Sequence, residues 1–266
     1  MANGQAGIIG APSPARQPDR LRFALLALIG TLLVFAAWEA WLVIPPALSG
    51  QAVGLDFHLY LQRAHSWLAG SGFYQPHQLT GSPYEIDTGD ALYPPSVLYL
   101  LVPATVLPQF VWWLIPGALV GYAVWRHRPS LWGWTYIAIA FCWPRTWQAI
   151  IFGNPVIWVV AAVAAGSVWG WPYVGAFLKP TFGILGLLGA RRRSWWVALG
   201  IALLAALPLW GMWPEYASAL VNARVGAWMS PDYLWGELPL VALPIIARIT
   251  RRPTTPRRFA PGGSAG

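Results

Sequence analysis

Long apolar runs alternate with short polar segments along most of this chain. Eight of the runs approach the roughly 20 residues that an α-helix needs to cross a bilayer. We therefore predict an all-α polytopic membrane protein with about eight transmembrane helices. The predicted spans are 21–44, 92–108, 110–125, 131–147, 155–171, 173–190, 195–213 and 234–249.

The residues outside these runs form two tails and one long polar loop. Residues 1–20 and 251–266 are rich in Pro, Gly, Ser and Arg, and we predict that both are disordered. Residues 21–250 form a single transmembrane domain without an internal repeat. Its longest polar segment, 45–91, follows the first span, and long ordered loops are often functional. The first run is longer than the core of a signal peptide, so we interpret it as an anchor, with cleavage as the alternative.

Composition supports the membrane class. Apolar residues make up 57% of the 266 positions and charged residues 10%, whereas a soluble domain carries about 25% charged residues. The net charge of +8 could indicate nucleic acid, but the basic residues cluster at the ends of the spans. Contact with anionic lipid headgroups and a topology signal explain them better, so we predict no nucleic-acid partner. The single cysteine, Cys142, excludes an internal disulfide framework.

Arginine positions predict the orientation, because Lys and Arg concentrate in cytoplasmic loops. We predict that both termini are cytoplasmic and that loop 45–91 is external. The exception is the RHRP segment at 126–129, which this span count places outside. The predicted cytoplasmic set is Arg16, Arg20, Arg22, Arg145, Arg191, Arg192, Arg193, Arg248, Arg251, Arg252, Arg257 and Arg258; the external set is Arg63, Arg126, Arg128 and Arg224.

The external loop contains an unusually polar stretch, GLDFHLYLQRAHSWLAGSGFYQ at 54–75. Apolar residues recur in it at helical spacing, and two glycines end the pattern. We predict a short helix that lies on the outer membrane surface with its apolar stripe toward the lipid. The stripe is Phe57, Leu61, Ala64 and Leu68, and Asp56, Tyr60 and Arg63 follow a second stripe.

Asp56 lies at the start of this predicted helix. One interpretation is an N-cap, which satisfies free backbone N–H groups. The other is a general base at the membrane surface, since a helix N-terminus keeps a carboxylate ionised.

Lys179, in GAFLKPTFG, is the only lysine of the chain and lies inside the sixth apolar run. A charge at mid-bilayer costs about 2.5–3.5 kcal/mol on insertion scales, so such charges usually face a cavity or a partner. We consider two interpretations: a snorkelling side chain that reaches the outer headgroups, and a cationic site for a lipid phosphate. Pro180 should loosen the helix at this point.

Several other polar residues have ordinary structural explanations. Tyr93, in LYPPSVLY, could be an interfacial aromatic residue, and Asn154, in GNP, could cap a helix.

The acids Glu85, Asp87 and Asp90 are expected to be solvated, and His58, His65 and His77 lack convincing zinc-ligand spacing. We predict no metal site and no cofactor. The chain contains no phosphate-binding glycine loop, HExxH or CxxC motif.

Taken in order, the motifs resemble a known class of membrane enzymes. DFHLYLQRAHSWLAGSGFYQ is followed by YPP, GNP, LKP and an RRR turn. This order is similar to that of the GT-C superfamily of membrane glycosyltransferases, and more narrowly to glycosyltransferase family 87. These are polyprenyl-phosphate-mannose-dependent mannosyltransferases, and the resemblance covers residues 50–215. Family members usually read Gly-Gln where this chain reads Gly153-Asn154, and they contain further helices after the matched region.

The resemblance implies a concrete function. Such enzymes of the cell envelope transfer a hexose from a polyprenyl-phosphate lipid to an acceptor hydroxyl on a glycolipid or glycan at the external face, with inversion. Asp56 would be the base and Lys179 would lie near the donor phosphate. Tyr60 and Tyr93 would line the cleft, and Asn154, Arg63 and His58 are further candidates for substrate binding. The span count, however, places Asn154 on the inner side.

Two other classes of protein remain as alternatives. The chain could be a non-enzymatic GT-C-like subunit or a flippase for a lipid-linked substrate, working with a partner subunit. It could also be a transporter, although paired repeats broken by Gly or Pro do not stand out.

Overall fold

The computed structural model describes residues 17–49, 53–86, 89–223 and 231–252, which form helices joined by turns. Within these ranges the only extended pairings are two isolated β-bridges, Tyr84 with Ala223 and Pro129 with Arg251. The all-α prediction is therefore confirmed for this part of the chain. Asp87 and most of both predicted tails lie outside the described residues.

The α-helices are α1 (Gln17–Ser49), α2 (Leu55–Leu68), α3 (Pro76–Leu79), α4 (Leu98–Ala104), α5 (Val111–His127), α6 (Leu131–Phe141), α7 (Pro144–Ile151), α8 (Val156–Trp169), α9 (Gly183–Gly186), α10 (Arg193–Ala206), α11 (Met212–Asn222) and α12 (Pro231–Ile249). Short 3-10 helices cover Pro95–Val97, Trp171–Leu178, Pro180–Phe182, Leu187–Gly189 and Leu207–Leu209. The first helix thus begins at Gln17, inside the predicted tail.

The described residues do not form eight continuous helices of bilayer length. One helix segment, Leu21–Leu42, is long and apolar enough to cross a membrane. The number rises to three if each of two sharply bent helix pairs counts as one span. These pairs are α7 with α8, bent by 103°, and Arg193–Leu209 with α11, bent by 91°.

Several predicted spans are interrupted by their own prolines. The run 92–108 contains only a 3-10 turn and the seven-residue α4. The run 131–147 ends one helix at Phe141 and begins another at Pro144. Proline lacks the N–H that would continue a helix, but it fits the first helical position, so it starts α7.

The predicted span 173–190 is a hairpin of short helical segments and not one continuous helix. A Cβ atom on Gly189 would lie 2.6 Å from the carbonyl oxygen of Gly170, so the two ends of the segment meet. Gly170 has a φ of 91°, which favours glycine, and it lies against the side chain of Arg192. Lys179 is extended and joins Trp171–Leu178 to Pro180–Phe182, so it forms the tip.

Helix α8 is the centre of the fold. It is apolar on all sides, and ten of its residues are buried, as expected for a helix surrounded by others. α5, α12 and the Trp171–Leu178 segment pack around it. By contrast, large apolar side chains of α1 and α10 are exposed, including Phe23, Val34, Trp41, Ile201 and Leu204.

The two ends of α8 define two ends of the molecule. At its start, Trp112 on α5 donates from Nε1 to the Gly153 carbonyl over 2.8 Å. We call this the Asn154 end. At its other end, Ser167 lies 2.7 Å from His127 at the end of α5. We call this the arginine end, and its arginines are Arg126, Arg128, Arg191, Arg192, Arg193, Arg248, Arg251 and Arg252.

This arrangement corrects the predicted sorting of residues. Arg126 and Arg128 share an end with Arg251, because the Ser130 N–H donates to the Thr250 carbonyl over 2.8 Å. Arg145 lies at the opposite end, beside Gly236. The reason is that α4 is too short to traverse the molecule. The helices that follow it therefore run in the direction opposite to the predicted one. The hairpin begins and ends at the same end of the molecule, so the segments after it run in the predicted direction again.

Candidate active site

Asp56 does not cap α2. The N-cap is Gly54, whose φ of 75° is left-handed, and Asp56 is the second residue of the helix. The helix start is fixed because the Gly54 N–H donates to the Ile151 carbonyl over 2.8 Å. This places the Asp56 carboxylate beside the α7–α8 turn, where its Oδ2 accepts a hydrogen bond from Asn154 Nδ2 at 2.7 Å.

The apolar stripe of α2 packs against protein and not against lipid. α2 ends before Gly70 as predicted, and Phe57 and Ala64 are buried. The Phe57 ring lies 5.1 Å and 5.6 Å from the rings of Trp112 and Trp113. The prediction that the stripe faces the membrane is therefore wrong for its first turns, although Leu68 is exposed.

Asn154 joins three parts of the site. Its Oδ1 accepts from the Val156 N–H and from the Tyr93 hydroxyl, each at 3.0 Å, while its Nδ2 binds Asp56. The side chain therefore stabilises the first turn of α8, as a capping residue does, and also orients the carboxylate. Asn154 consequently lies on the same side as Asp56, and its predicted placement on the inner side, away from Asp56, is wrong.

Tyr93 connects this pair to the hairpin. Its side chain is buried, and its ring meets Tyr60 edge-on with the centroids 5.2 Å apart. Lys179 Nζ lies 5.7 Å from the Tyr93 ring centroid, within the range of a cation–π contact. Tyr74 fixes the Tyr93 backbone by donating from its hydroxyl to the Tyr93 carbonyl at 2.9 Å.

Lys179 is paired with Glu237, which the sequence did not identify as a candidate site residue. Its Nζ lies 2.7 Å and 2.6 Å from the two carboxylate oxygens of Glu237 on α12. The lysine is only 4% exposed, so the snorkelling interpretation is wrong. A signal for Glu237 was present, because it is an acid inside a predominantly apolar run, and intramembrane charges usually have a partner.

We call Asp56, Tyr93, Asn154, Lys179 and Glu237 the polar cluster. Burial raises the pKa of Asp56, while the Asn154 hydrogen bond and the positive charge of Lys179 lower it. The net direction is upward, so the carboxylate is more basic than an exposed aspartate. Within the described ranges Asn154 is the hydrogen-bond partner of this side chain, through Oδ2, which leaves Oδ1 to accept a proton.

Two predicted binding residues form no hydrogen bond with the polar cluster in the part of the chain that the structure describes. His58 is exposed, and its Nε2 is 3.3 Å from the side-chain nitrogen of Gln109. Arg63 has a buried Nε without a hydrogen-bond partner in the described part of the chain. Tyr60, by contrast, contacts the polar cluster through Tyr93.

The loop acids differ in their surroundings. Glu85 is exposed, but the Asp90 side chain is fully buried, and its Oδ1 lies 2.9 Å from His77 Nε2. The prediction that Asp90 is solvated is therefore wrong. Among the described residues, no group of three or more His, Cys, Asp or Glu side chains could hold a metal ion.

Among the described residues, two cavities lie near the polar cluster. A small cleft beside Lys179 is lined by Leu92, Tyr93, Pro180, Thr181, Tyr216 and Leu220. A larger cavity of about 620 Å³ lies between α5, α6, α8 and α12 and is almost entirely apolar. Trp113 and Ile150 line its part at the Asn154 end, where the Trp113 Nε1 donates to the Ile150 carbonyl at 2.6 Å.

No protein-family model, curated protein or solved structure matches this chain. The resemblance to glycosyltransferase family 87 stays a prediction.

Proposed function

We propose that this chain is a GT-C-like membrane glycosyltransferase. It transfers a hexose, with mannose as the expected sugar, from a polyprenyl-phosphate donor to a hydroxyl of a glycolipid or glycan acceptor. The reaction takes place at the external face of a cell membrane, where the Asn154 end lies. The single observation that carries the proposal is the hydrogen bond of 2.7 Å between Asn154 and Asp56.

The exposed surface supports a membrane location. Soluble monomers rarely expose large contiguous apolar patches, yet Phe23, Val34 and Trp41 of α1 are 75%, 72% and 71% exposed. The same holds for Ile201 and Leu204 of α10. A lipid environment accounts for both helices, because these side chains avoid water there.

Asp56 has the environment of a general base. The acceptor O–H would give its proton to Asp56 Oδ1 while the oxygen attacks the anomeric carbon. The bond from that carbon to the donor phosphate breaks, the phosphate leaves with the electron pair, and the configuration inverts. A pKa raised by burial makes the carboxylate a better proton acceptor.

The other members of the polar cluster would position the base and neutralise negative charge. Asn154 orients the carboxylate, and Tyr93 orients Asn154. The Lys179 ammonium would stabilise the departing phosphate, and its ion pair with Glu237 holds it beside the Tyr93 ring. The apolar cavity supports a lipid donor, because it offers room for a hydrocarbon chain beside the Asn154 end.

Sugar transfer by an Asp56→Asn variant tests the proposal. Purified protein in detergent would be supplied with radiolabelled polyprenyl-phosphate-mannose and an extract of membrane glycolipids. We expect the Asn variant to fold and to lose roughly a hundredfold to ten-thousandfold in rate, because an amide cannot accept the proton. Glu85→Gln, an exposed acid at the same end, is the matched control and should keep the wild-type rate.

Two outcomes would contradict the proposal. If Asp56→Asn transfers sugar as fast as the wild type, Asp56 is not the base. If the wild type binds the lipid but transfers no sugar to any acceptor fraction, the non-enzymatic interpretation is favoured.

A further inference from the structure

Tyr216 carries a buried hydroxyl that the proposed reaction does not use. The residue is 7% exposed, and its hydroxyl has no hydrogen-bond partner within the described ranges of the chain. Buried side-chain polar atoms in proteins nearly always have such a partner. Tyr216 also lines the cleft beside Lys179, so a ligand bound in that cleft is a candidate for the missing partner.

The ring of Tyr216 is held firmly in place. It stacks on Tyr74 with the centroids 6.1 Å apart, and Trp213 meets it edge-on at 5.9 Å. Tyr74 in turn donates to the Tyr93 carbonyl. The hydroxyl is thus preorganised relative to the polar cluster, and binding a ligand would require little reordering of the side chain.

The walls of the cleft indicate the chemistry of this ligand. Lys179, also buried, lines the same cleft, and Thr181 contributes a second hydroxyl-bearing side chain. A cation beside hydroxyl groups suits an anion with several acceptor oxygens. The Glu237 carboxylate already contacts the ammonium, so an incoming anion would share Lys179 with it or displace it.

We infer that the cleft formed by Lys179, Thr181 and Tyr216 binds a phosphate group and that the Tyr216 hydroxyl donates a hydrogen bond to it. The inference rests on the proposed function, because it identifies where the donor phosphate lies. Tyr93 connects the cleft to Asp56, because its ring contacts Lys179 and its hydroxyl binds Asn154, the hydrogen-bond partner of Asp56.

Phosphate binding by a Tyr216→Phe variant tests the inference. The purified full chain in detergent would be titrated with citronellyl phosphate, a short-chain polyprenyl phosphate, and separately with inorganic phosphate, followed by ³¹P NMR. We expect Tyr216→Phe to weaken binding by roughly tenfold to a hundredfold, the usual effect of losing a hydrogen bond to a charged group. Its thermal stability should equal or exceed that of the wild type, since the change removes an unsatisfied buried hydroxyl.

Tyr122→Phe is the matched control, because Tyr122 stacks on Trp169 toward the arginine end and should leave phosphate binding unchanged. Equal affinities of Tyr216→Phe and wild type would overturn the inference, whatever the sugar-transfer assay shows. Weaker binding by Tyr216→Phe supports it even if the wild type transfers no sugar, in which case the proposed function fails alone. Tighter binding of citronellyl phosphate than of inorganic phosphate identifies the lipid ester as the ligand, and equal binding identifies the free anion.

Discussion

The contact between Asp56 and Asn154 joins two residues that are 98 positions apart in the chain. Each of these two residues therefore has a role in the polar cluster as well as in its own helix. The amide of Asn154 stabilises the ionised carboxylate, against the burial that favours the protonated form. The pKa of Asp56 is therefore set by burial, which raises it, against the Asn154 hydrogen bond and the positive charge of Lys179, which lower it.

This balance predicts how the reaction depends on pH. In the proposed reaction Asp56 would act as a base only when it is deprotonated, so the rate should fall as the pH drops through the pKa of Asp56. Asn154→Ala removes a contribution that lowers the pKa of Asp56, so the pKa rises and the acid limb of the profile moves to higher pH. The measurement is the rate of sugar transfer by both proteins across a pH series.

Asn222→Ala is the control for this prediction, because the Asn222 amide donates to the Gln78 carbonyl at 2.9 Å and not to Asp56. Its acid limb should coincide with that of the wild type. An unchanged acid limb in Asn154→Ala, or one displaced to lower pH, would show that the amide does not tune Asp56.

At the residue scale, sequence identified most members of the polar cluster but not how they pair. Asp56, Tyr93, Asn154 and Lys179 stood out because each is a polar residue in or beside an apolar run. Glu237 was not singled out, although it lies inside the predicted span 234–249. Pairing could not be predicted, since it depends on the bend of 103° between α7 and α8 that brings Asn154 to α2.

At the scale of elements, the chief difference between prediction and structure is the segment 173–190. A hydropathy window measures how apolar a run is, but not whether the chain reverses direction within it. Gly170 and the Lys179-Pro180 pair are the local signals of the reversal. The end of the predicted surface helix was more accurate, because two glycines after Leu68 end it clearly.

The hairpin tip is held against α12 by the Lys179–Glu237 ion pair. Both side chains are largely buried, with 5% and 13% of their surfaces exposed. Removing one partner of a buried pair leaves an uncompensated charge and costs about 3–5 kcal/mol, whereas replacing both with neutral groups is often close to neutral. Lys179→Met and Glu237→Gln should therefore each destabilise the protein by about this amount.

The double variant Lys179→Met/Glu237→Gln should recover most of the lost stability. Unfolding in detergent, followed by circular dichroism for all four proteins, measures the coupling between the two positions. If the two single effects simply add in the double variant, the ion pair does not hold the hairpin to α12.

At the scale of the whole molecule, charge separates along the direction of α8. Asp90 and Glu237 lie at the Asn154 end, and Arg128, Arg192 and Arg251 lie at the other. The packing places Arg126 and Arg128 at the same end as Arg192 and Arg251. The exception at 126–129 therefore disappears, while Arg145 moves to the Asn154 end.

This separation predicts the orientation of the protein in a membrane. In a Cys142→Ala background, single cysteines would be placed at three exposed positions: Ser82→Cys at the Asn154 end, and Arg126→Cys and Ser194→Cys at the arginine end. A membrane-impermeant maleimide should label Ser82→Cys in intact cells. It should label the other two only after permeabilisation, because arginine-rich ends remain cytoplasmic.

Arg126→Cys distinguishes this arrangement from the one that hydropathy predicts, because hydropathy places position 126 outside and position 194 inside. In the structure α5 runs from the Asn154 end to the arginine end. Labelling of both Ser82→Cys and Arg126→Cys in intact cells would contradict this arrangement. Labelling of Arg126→Cys and Ser194→Cys alone would mean that the protein is inverted. Asp56 would then face the cytoplasm, and a donor presented at the external face could not reach it.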